Sequence, residues 1–248
     1  MNTTENGFLD NRLYLLQPTR GYRAGSDAVL LAAAVPALTG ETVLDVGCGV
    51  GTISLCLAQR VMDLSIAGLE IQEDMVALAR QNTSRNNLDS QVTVWQGDLV
   101  ALPTGLAGEL FDHVVTNPPY YKAGEARPSP DETKAQAHME GATTLRQWVE
   151  HCVALVKPGG TMTLIHRMDR LGDIVLGLGG QGETVLFPLW PRAGAPARQV
   201  IVQVTRGEEP AIHLTAGMVL HEPDGAFTQG ADDVLRGRSA LALGAEGQ

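Results

Sequence analysis

Apolar positions along the 248-residue chain fall into two alternating kinds of segment. Short continuous apolar runs at 42–46, 64–69, 91–96 and 110–115 have the length and β-branched content of buried strands. Between them the spacing becomes helical. Segment 52–61 follows the first run, and segment 73–87 carries Met75, Val76, Leu78 and Ala79 on one side before Asn86 and Asn87 end it. Further on, Leu145, Trp148, Val149, Cys152, Val153 and Val156 recur at core spacing until Pro158-Gly159-Gly160 stops them. A fifth strand at 161–165, a helix at 168–178 and two strands at 183–189 and 199–204 complete the series. Strands alternating with helices predict an α/β fold around a mostly parallel sheet of seven strands. The short turn at 190–198 makes the last two strands an antiparallel pair.

Residues 1–40 precede the first core strand and read as a flap. They contain a candidate strand pair at 8–18 broken by Pro18, then an apolar helix at 28–35 that Ser26 or Asp27 caps and Pro36 closes. Residues 41–206 read as the main domain and 207–248 as its extension, where the one apolar run is Met218-Val219-Leu220. Residues 121–143 show no sustained period and carry Lys122, Arg127 and Lys134, which predicts a substrate-facing loop.

Composition narrows the class. An apolar content of 44% supports a real core. Three cysteines without a C-x-x-C pair, and histidines without ligand spacing, predict neither disulfides nor a metal site. The absence of a basic leader or an apolar run of membrane-spanning length predicts a soluble, unprocessed, cytoplasmic protein. A net charge of −10 argues against indiscriminate nucleic-acid binding, since that affinity comes from Lys and Arg neutralising phosphates. The balance is uneven, however: residues 1–119 carry −7 and residues 120–200 carry +1. A local basic rim can hold RNA on an acidic protein because fields are screened over about 8 Å. Arg20, Arg23, Arg192 and Arg198 are candidates for it, or are solvated surface charges.

Chemistry concentrates where the predicted strands end. Asp45-Val46-Gly47-Cys48-Gly49-Val50-Gly51 joins the first strand to a helix; Thr52 stands where a dinucleotide fingerprint needs its third glycine. Glu70 and Ile71 end the second strand, and Glu70 lies 19 residues after Gly51, the interval for an acid that binds ribose hydroxyls. Asp98 and Leu99 follow the third strand, where Asp98 by itself reads as the cap of a short helix. The fourth strand delivers Asn117-Pro118-Pro119-Tyr120. Two prolines without N–H groups leave carbonyls that no ladder uses. The Asn117 side-chain oxygen and the Pro118 carbonyl suit the two N–H donors of an exocyclic amine, with Tyr120 stacking on its ring.

These motifs resemble those of class I S-adenosylmethionine-dependent methyltransferases. Together with Gly21-Tyr22-Arg23-Ala24-Gly25-Ser26-Asp27-Ala28-Val29-Leu30-Leu31 in the flap, they resemble the bacterial tRNA1(Val) adenine-N6-methyltransferases. The resemblance covers roughly residues 8–206 and implies a Rossmann-like sheet with an antiparallel last strand. It implies S-adenosyl-L-methionine held by Asp45, Gly47, Cys48, Gly49, Gly51, Glu70, Ile71, Asp98, Leu99 and Asn117, with Asp98 accepting from the adenine amine of the cofactor. Asn117, Pro118, Pro119 and Tyr120 would act on the acceptor, with Arg20, Arg23, Lys122, Arg127, Arg192 and Arg198 toward RNA, tRNA first. Related motifs occur in enzymes that methylate release-factor glutamine or rRNA guanine N2, so these acceptors stay open, as does a silent RNA-binding protein on the same fold.

Overall fold

The computed structural model describes residues 2–20, 23–120 and 143–244. Eleven strands occur among them: β1 (Thr3–Phe8), β2 (Leu13–Pro18), β3 (Thr42–Val46), β4 (Ser65–Glu70), β5 (Val92–Gln96), β6 (Phe111–Thr116), β7 (Val156–Arg167), β8 (Gly182–Arg192), β9 (Gln199–Arg206), β10 (Ala211–Leu214) and β11 (Met218–His221). The helices are α1 (Ser26–Ala34), α2 (Thr52–Arg60), α3 (Glu73–Arg85), α4 (Leu145–Ala154), α5 (Leu171–Leu178) and α6 (Gln229–Leu235). A 3₁₀ turn at Met168–Arg170 leads into α5.

The main sheet runs β5-β4-β3-β6-β7-β9-β8-β10. Strand β9 is antiparallel to β7 and β8, and the other pairings are parallel. The element pattern predicted this mostly parallel sheet with an antiparallel pair at its end, and the single reversed strand is the one the resemblance implied. The sheet is wider than expected, because β10 and β11 both pair in parallel with the long β8 and make nine strands. The sequence missed β10 because its Ile212 and Leu214 lie exposed, with none of the buried alternation that marks a strand.

Helix α1 illustrates why pattern and structure agree. All its residues from Ala28 to Ala34 are buried, so the run has no polar face to display. Its cap differs from expectation: Gly25 occupies the N-cap with no side-chain bond, which frees Asp27 for another contact. At the other end the Arg60 guanidinium donates to the carbonyls of Ala32 and Val35, 3.3 and 2.5 Å away, and satisfies the last turn.

The N-terminal hairpin starts at Thr3, earlier than predicted, and turns through Leu9, Asp10 and Asn11, all at positive φ. It docks on α3 through two asparagines. Buried Asn82 accepts from Leu16 N and donates to the carbonyls of Leu16 and Val50, while Asn86 bonds both N and O of Tyr14. A buried amide bonded through both its oxygen and its nitrogen, as Asn82 is, fixes a single docking register. The C-terminal segment then closes over the flap, with Leu241 N donating to Ala33 O at 2.9 Å and the Arg12 guanidinium reaching the Arg236 and Gly237 carbonyls.

Candidate active site

The strand register assembles the site. Val46 lies opposite Leu69 on one side and Thr116 on the other, and Glu70 lies opposite Gln96. The turns after β3, β4, β5 and β6 therefore emerge side by side at one edge, where strand order reverses between β3 and β6. Open α/β sheets bind ligands at that crevice.

The glycine turn is pinned from beneath. Gly47 N and Cys48 N both donate to Leu69 O at 2.8 and 3.0 Å. Gly47 has φ 72°, a conformation that strains any residue with a Cβ, and it packs against the Trp148 ring at ordinary contact distance. Trp148, read from the sequence as core packing, also donates from Nε1 to Thr116 Oγ1 at 3.0 Å. The same hydroxyl donates to Val46 O at 2.8 Å and ties β6 to β3 immediately before Asn117.

Asp45 lies wholly buried under this turn. Its Oδ2 accepts from Ser54 N and Ser54 Oγ at 3.1 and 2.6 Å, while Oδ1 has no partner among the described residues. Burial pushes its carboxyl up to about 7, against the lowering effect of the two Ser54 bonds. Asp45 thus anchors the start of α2. Burial likewise drives the Cys48 thiol well above its usual range, which keeps it neutral.

Glu70 accepts Gly49 N at Oε2 and Gln72 N at Oε1, both at 2.9 Å. Each carboxylate oxygen retains a further acceptor position, a match for the two hydroxyls of a ribose. Ile71 beside it is an exposed apolar side chain. Asp98 is exposed and accepts Val100 N at Oδ1, so it caps a turn, and no helix follows it. The Leu99 side chain is buried in the core.

At the end of β6, Asn117 and Tyr120 are partly buried and Pro118 is buried. The expectation that both proline carbonyls face a ligand needs revision. Pro119 O lies 3.2 Å from His166 Nε2, a bond that requires the proton on that nitrogen, so this carbonyl is occupied within the protein. The Tyr120 ring lies 4.9 Å from the His166 ring at 55°. Its hydroxyl donates to Asp27 Oδ2 at 3.1 Å, and Gln199 Nε2 donates to the same oxygen at 2.7 Å.

Among the candidate arginines, Arg192 ends β8 and Arg198 precedes β9, both exposed at the same sheet edge as Asn117. Arg23 donates to Asn6 Oδ1 at 2.6 Å, and Arg20 is exposed after β2. Lys122, Arg127 and the predicted substrate loop lie outside the described residues. Among the described residues no group of three or more His, Cys, Asp or Glu is arranged to hold a metal ion, and no helix is long and apolar enough to cross a membrane. Sequence reasoning missed Asp27, His166 and Gln199. A histidine and a glutamine at the ends of β7 and β9 mark the same edge as Asn117, but that adjacency exists only once strand order is known.

A family model described as "Methyltransferase small domain" matches residues 23–168, more than half of the chain. Curated relatives include the tRNA1(Val) (adenine(37)-N6)-methyltransferase of Photorhabdus laumondii, 25% identical over 90% of this chain and 91% of its own. The enzyme of the same name from Aeromonas hydrophila is 28% identical over 90% and 92%. That of Porphyromonas gingivalis is 31% identical over 62% of each chain. Among solved structures, one described as a predicted O-methyltransferase from Agrobacterium tumefaciens superposes with a TM-score of 0.72 at 25% identity, covering 87% of this chain and 98% of that one.

Proposed function

Since the chain belongs to the methyltransferase small domain family, we propose that it transfers a methyl group from S-adenosylmethionine to N6 of an adenine in tRNA, of the tRNA1(Val) adenine-37 type. The observation that carries this reading is the Val46–Thr116 register, which sets the glycine turn beside Asn117-Pro118. A methyl-donor cradle and an amine clamp are then neighbours.

The residues present fit the donor. Glu70 has acceptor capacity for a ribose diol, Gly49 in the glycine turn has open space where a side chain would stand, and Asp98 is exposed for an amine. S-adenosylmethionine, when bound, supplies an electrophilic methyl group on a cationic sulfur. Asn117 Oδ1 and Pro118 O would accept the two N6 hydrogens, drawing the amine lone pair out of conjugation with the ring. Their dipoles also stabilise the positive charge that develops on nitrogen. Tyr120 would offset part of the cost of unstacking the base, base–aromatic stacking contributing about 1–3 kcal/mol. No strong general base is required, since the methylated nitrogen is acidic enough to release its proton to solvent.

Incubation with methyl-labelled cofactor and tRNA, followed by nucleoside analysis, tests the reading. Label in N6-methyladenosine is expected. Label in N2-methylguanosine or in protein glutamine overturns it.

A further inference from the structure

We propose that Asp27, in the first turn of α1, is a positioning residue that sets the Tyr120 ring for the acceptor base. The inference rests on the reading of Tyr120 as the stacking side chain. Asp27 Oδ2 receives two donors, the Tyr120 hydroxyl at 3.1 Å and Gln199 Nε2 at 2.7 Å, and Gln199 Nε2 also lies 3.3 Å from the tyrosine oxygen. An acid in the first turn of a helix is ordinarily favoured by the helix dipole alone. Here the side chain leaves the helix terminus, which has no side-chain cap, and crosses to another element.

Tyr120 is consequently held at both ends. His166, fully buried at the end of β7, contacts its ring and bonds the preceding Pro119 carbonyl, while Asp27 and Gln199 hold its hydroxyl. Helix α1, strand β7 and strand β9 converge on one side chain of the Asn-Pro-Pro-Tyr turn. Among the described contacts of this turn, the α1 contact comes from the N-terminal flap, so Asp27 couples the flap to the acceptor side of the site. A ring free to rotate about its side-chain bonds would present its face to the base only part of the time. The charge-assisted bond to a carboxylate removes that freedom.

The test combines kinetics with a probe of the ring itself. Asp27→Ala and Tyr120→Phe should each lower kcat about tenfold, the scale of one lost hydrogen bond to a charged group, with S-adenosylmethionine affinity within twofold. The double variant should be no slower than Asp27→Ala alone, and Asp27→Asn, which retains an acceptor oxygen, should recover most of the rate. A kcat for Asp27→Ala within twofold of the parent, or effects that multiply in the double variant, overturn the proposal. In fluorotyrosine-labelled protein, the Tyr120 resonance, identified by its loss in Tyr120→Phe, should shift in Asp27→Ala and in Gln199→Ala. An unmoved resonance in both overturns it as well. If the parent protein modifies no tRNA, the functional reading fails on its own, and the resonance still decides whether Asp27 sets the ring. Gln199→Ala supplies the answer if Asp27→Ala does not fold.

Discussion

The Gly49 amide donates to Glu70 Oε2 at 2.9 Å, so the carboxylate that ends β4 is also a structural member of the turn that follows β3. With Gln72 N on its other oxygen, Glu70 is held at a fixed rotamer although it stands at the mouth of the sheet. A carboxylate pre-oriented by two backbone amides loses little entropy on accepting two ribose hydroxyls. Glu70→Ala should therefore raise the dissociation constant for S-adenosylmethionine more than tenfold by titration calorimetry. Glu70→Gln, which keeps one acceptor, should fall between. Unchanged affinity in both variants would remove Glu70 from the donor site.

Asn117 is expected to act after binding. On the proposed reading its carboxamide accepts from the acceptor amine, and the turns of β3 and β4 supply most of the groups that would hold the cofactor. Asn117→Ala should lower kcat at least about 100-fold, the effect of deleting one preorganised electrostatic partner of a transition state. Cofactor affinity should stay within threefold. Near-parental turnover would show that the Pro118 carbonyl alone suffices.

The core of this molecule was readable because strands buried on both faces are written as continuous apolar runs, and glycine, acid and Asn-Pro-Pro motifs fell at their ends. The hairpin β1–β2 was only half visible. Strand β1 is Thr-Thr-Glu-Asn-Gly-Phe, nearly all of it polar or small, and it is held by pairing with β2 rather than by its own burial. Strands β10 and β11 depend on β8 being long enough to accept two partners in succession, which is a tertiary property. The contacts around Tyr120 were hidden for a similar reason. Asp27, His166 and Gln199 are separated by well over a hundred positions in part, and no local period links a helix start with two strand ends.

The buried Asp45 gives a stability prediction with a definite sign. Its carboxyl titrates near 7 in the folded protein because burial disfavours the charge, and near 3.8 when unfolded. A group with a raised folded value binds its proton more tightly in the native state. Its contribution is present in full below about pH 4 and is lost as pH rises through about 7. Asp45→Asn keeps an acceptor for Ser54 and removes the titration. In urea unfolding, the variant should gain about 2.6 kcal/mol relative to the parent between pH 5 and pH 8. A constant difference across that range would show that Asp45 does not titrate there.

Arg192 and Arg198 offer a test of how an acidic protein holds tRNA. They flank the turn between β8 and β9, both exposed at the edge where β6 delivers Asn117. By contrast Arg167 and Arg170 at the end of β7 are paired with Asp169 and Asp173, which blunts their field. Phosphate contacts contribute through counterion release, so each one lost lowers the dependence of log affinity on log salt by roughly 0.7–0.9. Arg192→Ala with Arg198→Ala should weaken tRNA binding about tenfold at low salt and reduce that slope by about 1–2. The rate at saturating tRNA should stay within threefold, because neither side chain reaches Asn117 or Tyr120 through a described contact. An unchanged slope would assign the two arginines to the solvated surface and move the RNA-binding rim elsewhere on this edge.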